Sequence, residues 1–132
     1  MRNKKRILFV CVENSNRSQL AEAFARIHGG SDVEVYSAGS RPSGQINPKA
    51  IDSMRELDYD LTQHRSKSLS DIPDVQYDFV VTMGCGDECP YVRAKSRADW
   101  NIPDPKNLPP NEYRVVRDLI EAKVKTLLTD LS

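Results

Sequence analysis

Short apolar runs and polar, glycine-bearing segments alternate along the chain. Arg6-Ile7-Leu8-Phe9-Val10-Cys11 is a nearly continuous apolar run rich in β-formers, which predicts a central strand buried on both faces of a parallel sheet. After a polar stretch, Ser18 to Ile27 sets apolar residues at helical spacing among good helix formers, and Gly29-Gly30 ends it. Val33 to Ser37 alternates with period two and closes at Gly39, a second strand. Asn47-Pro48 opens a helix through about Leu57, with Asn47 as cap. Residues 58–76 are mostly polar and hold no period, so they read as a long surface connection. Tyr77 to Met83 is another strong strand, closed by Gly84 and Gly86, and a last short strand is expected between Arg97 and Ile102 around Trp100. From Glu112 to Leu131 one apolar stripe, Val115, Val116, Leu119, Ile120, Val124, Leu127, Leu128 and Leu131, predicts a long amphipathic helix. This order implies an α/β sandwich with a mainly parallel sheet, because parallel strands need crossover helices.

Composition narrows the classes. A chain of 132 residues, 39% of them hydrophobic, suits one compact domain over 1–132. Nineteen basic and nineteen acidic residues cancel, so no global field gathers a nucleic acid. No apolar run is long enough to cross a bilayer or to form a signal-peptide core, and the expectation is a soluble, cytoplasmic protein with neither nucleic-acid nor membrane partner. The three cysteines, Cys11, Cys85 and Cys89, are an odd number in such a chain, which favours thiol chemistry or metal binding over a disulfide framework.

In open α/β sheets ligands bind at the carboxyl ends of the strands, where this chain has Cys11-Val12-Glu13-Asn14-Ser15-Asn16-Arg17-Ser18. A loop of that length running straight into a helix can curl the N–H groups of Val12, Glu13, Asn14, Ser15 and Asn16 around a tetrahedral oxyanion. The helix N-terminus adds positive potential and Arg17 a bidentate guanidinium. The same field favours a thiolate at Cys11, a nucleophile that the Ser18 hydroxyl can steady while Asn14 braces the loop from inside. Glu13 is out of place beside an anion unless it turns to solvent. The plainer reading is a small core cysteine at a strand end.

With these features in place, the sequence resembles the low-molecular-weight protein tyrosine phosphatase superfamily, and within it the arsenate reductases. The likeness covers nearly the whole chain. It rests on Val10-Cys11, Arg17-Ser18-Gln19-Leu20-Ala21-Glu22-Ala23, Tyr36-Ser37-Ala38-Gly39, Asn47-Pro48-Lys49-Ala50, Val80-Val81-Thr82-Met83-Gly84-Cys85, Trp100 with Asp104-Pro105, and Arg114-Val115-Val116-Arg117-Asp118. It implies a three-layer sandwich with a four-stranded parallel sheet flanked by helices, Cys11 as nucleophile, Arg17 as oxyanion clamp and Asp104 as general acid. Taken alone, Asp104 between Pro103 and Pro105 reads more readily as an ordinary turn residue.

A phosphatase needs only Cys11, Arg17 and Asp104, whereas a reductase must also dispose of two electrons, so Cys85 and Cys89 divide the two activities. The resemblance implies a Cys11 adduct with arsenate, resolved either by Cys85, with Cys89 taking over the disulfide, or by an external small thiol. Gly84-Cys85-Gly86-Asp87-Glu88-Cys89-Pro90 is similar to members linked to mycothiol and mycoredoxin, while thioredoxin-linked members space their cysteines more widely. Expected reductants are therefore mycothiol with mycoredoxin, thioredoxin, or glutathione with glutaredoxin, and no tightly bound cofactor. Lys106-Asn107-Leu108 stands where tyrosine phosphatases of the family carry an aromatic pair, which disfavours aryl phosphates. The likeness also brings a conceivable potassium site at Asn14, Glu22 and Ser37. A zinc site from Cys85, Cys89 and His64 lacks a second paired ligand set, and His64 reads as a loop hydrogen-bonding residue. The alternatives to a reductase of arsenate are a phosphatase acting on phosphomonoesters and a non-catalytic oxyanion-binding thiol sensor.

Overall fold

The computed structural model describes residues 4–84 and 92–131. Its sheet is built from β1 (Lys5–Cys11), β2 (Val33–Gly39), β3 (Tyr77–Thr82) and β4 (Ala94–Asp99), all parallel and ordered β2-β1-β3-β4. The helices are α1 (Arg17–Gly29), α2 (Pro48–Arg55) and α3 (Pro110–Leu131). The chain crosses from central β1 to β2 on one side, whereas β3 and β4 lie on the other, so the strand order reverses beside β1. That point is the switch at which such sheets bind ligands.

Alternation along β1 divides the interior in two. Ile7, Phe9 and Cys11 face a core shared with Leu20 and Phe24 of α1, Met54 of α2, and Tyr113, Ile120 and Val124 of α3. Leu8 and Val10 face the other way with Val80, and there Leu69, Ile72 and Val75 from the segment between α2 and β3 pack against them. That segment is more than a surface connection. It carries two single-turn 3-10 helices, Leu61–Gln63 and Leu69–Asp71, it buries Leu61 completely, and Ser68 bridges to Gly39.

Two further expectations shift. The last strand lies earlier, at Ala94–Asp99, as an edge strand whose side chains are largely exposed and so carry no apolar signal. Trp100 follows its end and packs beside Phe9, ring centroids 5.9 Å apart. On α3 the buried stripe runs through Tyr113, Val116, Ile120, Val124 and Leu127, whereas Val115 and Leu119 are exposed.

Candidate active site

The loop from Cys11 to Arg17 is shaped by where its carbonyls go. Those of Cys11, Val12, Glu13 and Ser15 accept main-chain N–H bonds from Ser40, Arg41, Ser43 and Asn47, at 2.8 to 3.2 Å. The Asn14 carbonyl accepts from Gln19 Nε2 at 3.1 Å. In a planar trans peptide the next N–H points opposite to the carbonyl, so the amides of Val12, Glu13, Asn14, Ser15 and Asn16 are turned away from those partners. Asn14 bends the loop with φ 52, a left-handed conformation that Asn tolerates. Gly39 lets the loop cross β2 closely, because a Cβ there would lie 2.5 Å from the Val12 carbonyl oxygen. No side chain caps α1, which leaves its N-terminal potential facing the loop.

Cys11 is buried at the end of β1, and its Sγ lies 2.8 Å from Ser18 Oγ. Bond directions in this cluster follow from groups that can only donate or only accept. Asn14 Oδ1 accepts the main-chain N–H of Lys67 at 2.9 Å, so its Nδ2 donates to Ser18 Oγ at 2.7 Å, and the Ser18 hydrogen is free for the sulfur. Gln19 Nε2 donates to the Arg65 carbonyl and to Asn14 Oδ1, which turns Gln19 Oε1 toward His64 Nδ1 at 2.9 Å. Burial holds His64 below its usual range, so it is neutral with its proton on Nδ1, and Nε2 accepts from the Tyr59 hydroxyl at 2.7 Å. One relay of donors, Tyr59, His64, Gln19, Asn14 and Ser18, therefore runs toward the sulfur, an arrangement whose bonds polarise one another in the same sense.

Arg17 is buried at the opposite rim. Its Nη1 donates to the Ile102 carbonyl at 3.1 Å and its Nη2 stands 3.9 Å from Asp104 Oδ2. Gly84, with φ 77, passes so close that a Cβ would meet Arg17 Nη1 at 2.2 Å. Asp104 is half-exposed, and its Oδ1 accepts the main-chain N–H of Lys106 at 3.1 Å. Tyr113 Oη donates to Asn16 Oδ1 at 2.8 Å, and burial, then the charge of Asp104, pushes its phenol well above the usual range, so it stays a neutral donor. Glu13 does turn outward, where its carboxylate meets Lys106 Nζ at 3.0 and 3.2 Å.

The structure thus brings Cys11, Arg17, Ser18 and Asp104 to one edge of the sheet. Cys85 and Cys89 lie outside the described residues. The suggested potassium site does not fit. Ser37 donates to Glu22, and the Lys67 ammonium already lies 3.2 Å from Ser37 Oγ and 3.6 Å from Glu22 Oε1, and also donates to the Arg65 carbonyl. A second cation beside it would meet like charge. Both ring nitrogens of His64 are engaged, and among the described residues no group of His, Cys, Asp and Glu is set to hold a metal. Sequence reading missed Gln19, Lys67, Tyr113 and the contact of Gly84 with Arg17. Gly84, directly before Cys85 and after a buried strand, was the one available signal.

A family model described as low molecular weight phosphotyrosine protein phosphatase matches residues 6–132. The chain belongs to that family. Within it the similarity runs to arsenate reductases. One from Staphylococcus xylosus is 38% identical over 126 residues, covering 93% of this chain and 95% of the relative. Arsenate reductase 2 of Staphylococcus saprophyticus is 39% identical over 127 residues, with the same coverage. A solved arsenate reductase in the phosphate binding state superposes with a TM-score of 0.86 at 32% identity, covering 97% of this chain and 99% of that one. A thioredoxin-dependent arsenate reductase from Corynebacterium glutamicum gives 0.77 at 30% identity, covering 96% of this chain and 61% of that longer one.

Proposed function

We propose that this family member reduces arsenate to arsenite through an adduct on Cys11. The observation that carries the reading is the Cys11 thiol, 2.8 Å from the Ser18 hydroxyl, at the base of a loop with Arg17 and Asp104 on its rim. The loop amides and Arg17 hold the oxyanion. The Cys11 thiolate attacks arsenic, and Asp104 acts as general acid toward the departing oxygen, which leaves as water. A second thiol then attacks the Cys11 sulfur. As the S–S bond forms the S–As bond breaks, its electron pair stays on arsenic, and arsenite departs while two thiols become one disulfide.

Cys85, with Cys89 receiving the disulfide, or an external small thiol serves as the second thiol. A redoxin or low-molecular-weight thiol, from the thioredoxin, mycothiol or glutathione systems, restores the reduced state, and a reducing cytosol suits this cycle. The family match supports reading the chain as one catalytic domain. Phosphomonoester hydrolysis is the second reading, because the thiol, the guanidinium and the acid suffice for it.

The test is a single turnover of reduced protein with arsenate and no added thiol, with mass mapping of disulfides. One arsenite per chain with a disulfide between two of its cysteines supports the internal relay. Arsenite only after mycothiol or glutathione is added assigns the step to an external thiol. Hydrolysis of an aryl phosphate with no arsenite under any condition rejects the reductase.

A further inference from the structure

The ion pair between Glu13 and Lys106 joins the two walls of the site. Glu13 sits two residues after Cys11 on the anion loop, and Lys106 two residues after Asp104 on the segment that carries the acid. We propose that this pair is a specificity-determining strap, which closes the oxyanion site to phosphomonoesters with a bulky ester group while admitting the free oxyanion. The inference rests on the oxyanion reading above and names what narrows that site.

Both ends of the strap are anchored. The Glu13 carbonyl accepts from Ser43 N at 3.1 Å and Ser66 Oγ at 2.9 Å. On the other side the Lys106 N–H is held by Asp104 Oδ1, and Lys49 Nζ on α2 donates to the carbonyls of Lys106 at 3.1 Å and Leu108 at 3.0 Å. In-line displacement puts the leaving oxygen opposite the Cys11 sulfur, on the Asp104 side. For free arsenate or phosphate that oxygen carries only a proton. For an aryl ester it carries a ring that has to pass out between the anion loop and the Asp104 segment, and admitting it separates Glu13 from Lys106. The pair also offsets the carboxylate charge of Glu13 beside the bound dianion, which reconciles an acidic residue with an anion site.

The test reads binding and needs no turnover. Iodoacetamide labelling of Cys11, followed by mapping of its peptide, is measured in the presence of inorganic phosphate or of phenylphosphonate. The two anions carry similar charge, so a change in overall electrostatics cancels in the ratio of their protection constants and size remains. In the unaltered protein phosphate protects at least about tenfold better; Lys106→Met and Glu13→Gln each narrow the ratio roughly three- to tenfold, and the swapped pair Glu13→Lys with Lys106→Glu recovers most of it. Raising salt from about 0.1 to 1 M shortens the screening length from ~10 to ~3 Å and narrows the ratio in the unaltered protein but not in Lys106→Met. An unchanged ratio in both single variants, or a swap no better than they are, overturns the strap. Absence of protection by phosphate itself overturns the oxyanion reading beneath it, a separate result.

Discussion

Tyr113, on the last helix, donates its buried hydroxyl to Asn16 Oδ1 in the anion loop, 97 positions earlier in the chain, at 2.8 Å. The C-terminal helix thereby fixes the residue that precedes Arg17, and the loop's shape depends on how the far end of the chain docks.

Tyr113→Phe keeps the ring and removes that donor, leaving a buried amide oxygen without its partner. A loss of about 1–3 kcal/mol in unfolding free energy is expected. Urea unfolding measures it, with a fall in phosphate affinity alongside. Stability unchanged within error would show that the oxygen finds another donor.

Gly84→Ala places a methyl where the Arg17 guanidinium now lies and forces a left-handed backbone on a residue that resists it. Arg17 has to move, so KM for the oxyanion should rise about tenfold or more, since a charge-assisted contact contributes ~1.5–3 kcal/mol. Circular dichroism should remain that of the folded protein. Normal KM in a folded variant would mean that the loop yields instead of the guanidinium.

Ser18→Ala deletes the hydroxyl that reaches the Cys11 sulfur. Labelling of Cys11 at neutral pH should slow about tenfold, while phosphate still protects, because the carbonyl bonds that shape the loop and the hold on Arg17 do not pass through the Ser18 hydroxyl. Equal labelling rates in the two proteins would remove Ser18 from the chemistry.

His64 carries a pH prediction. Burial lowers its folded pKa below the unfolded value of about 6.5, so the unfolded chain binds the extra proton more readily. Stability from this residue is present above about pH 6.5 and is lost as pH falls through the window between the unfolded and the folded pKa. The charges facing it are Glu22 and Asp60, which resist the shift, and Arg26 and Lys67, which reinforce it. In His64→Gln the decline in unfolding free energy between neutral and mildly acid pH should be shallower. An identical slope would assign the decline to other groups.

What could be read from the chain beforehand followed burial. Ile7 to Val10 and Val80-Val81 announce themselves because both faces of a central strand are apolar, and Cys11, Arg17 and Ser18 share one short loop whose role follows from its position after that strand. Ala94 to Asp99 gave no such signal, since an edge strand with exposed side chains needs only backbone pairing. The support behind the loop was hidden for another reason. Gln19 meets His64 and Arg65 from 45 and 46 positions away, and polar contacts of that range leave no period in a sequence. The segment 58–76 looked like solvent-facing chain because most of its polar residues are indeed exposed, while His64 and Lys67 turn inward behind the loop and Leu61 is buried.

Lys67 brings the positive charge behind the anion loop on the chain itself, against Glu22 and Ser37. A tethered ammonium has no dissociation constant and no competitor of similar size. The rear support of the loop is consequently expected to be the same in sodium as in potassium.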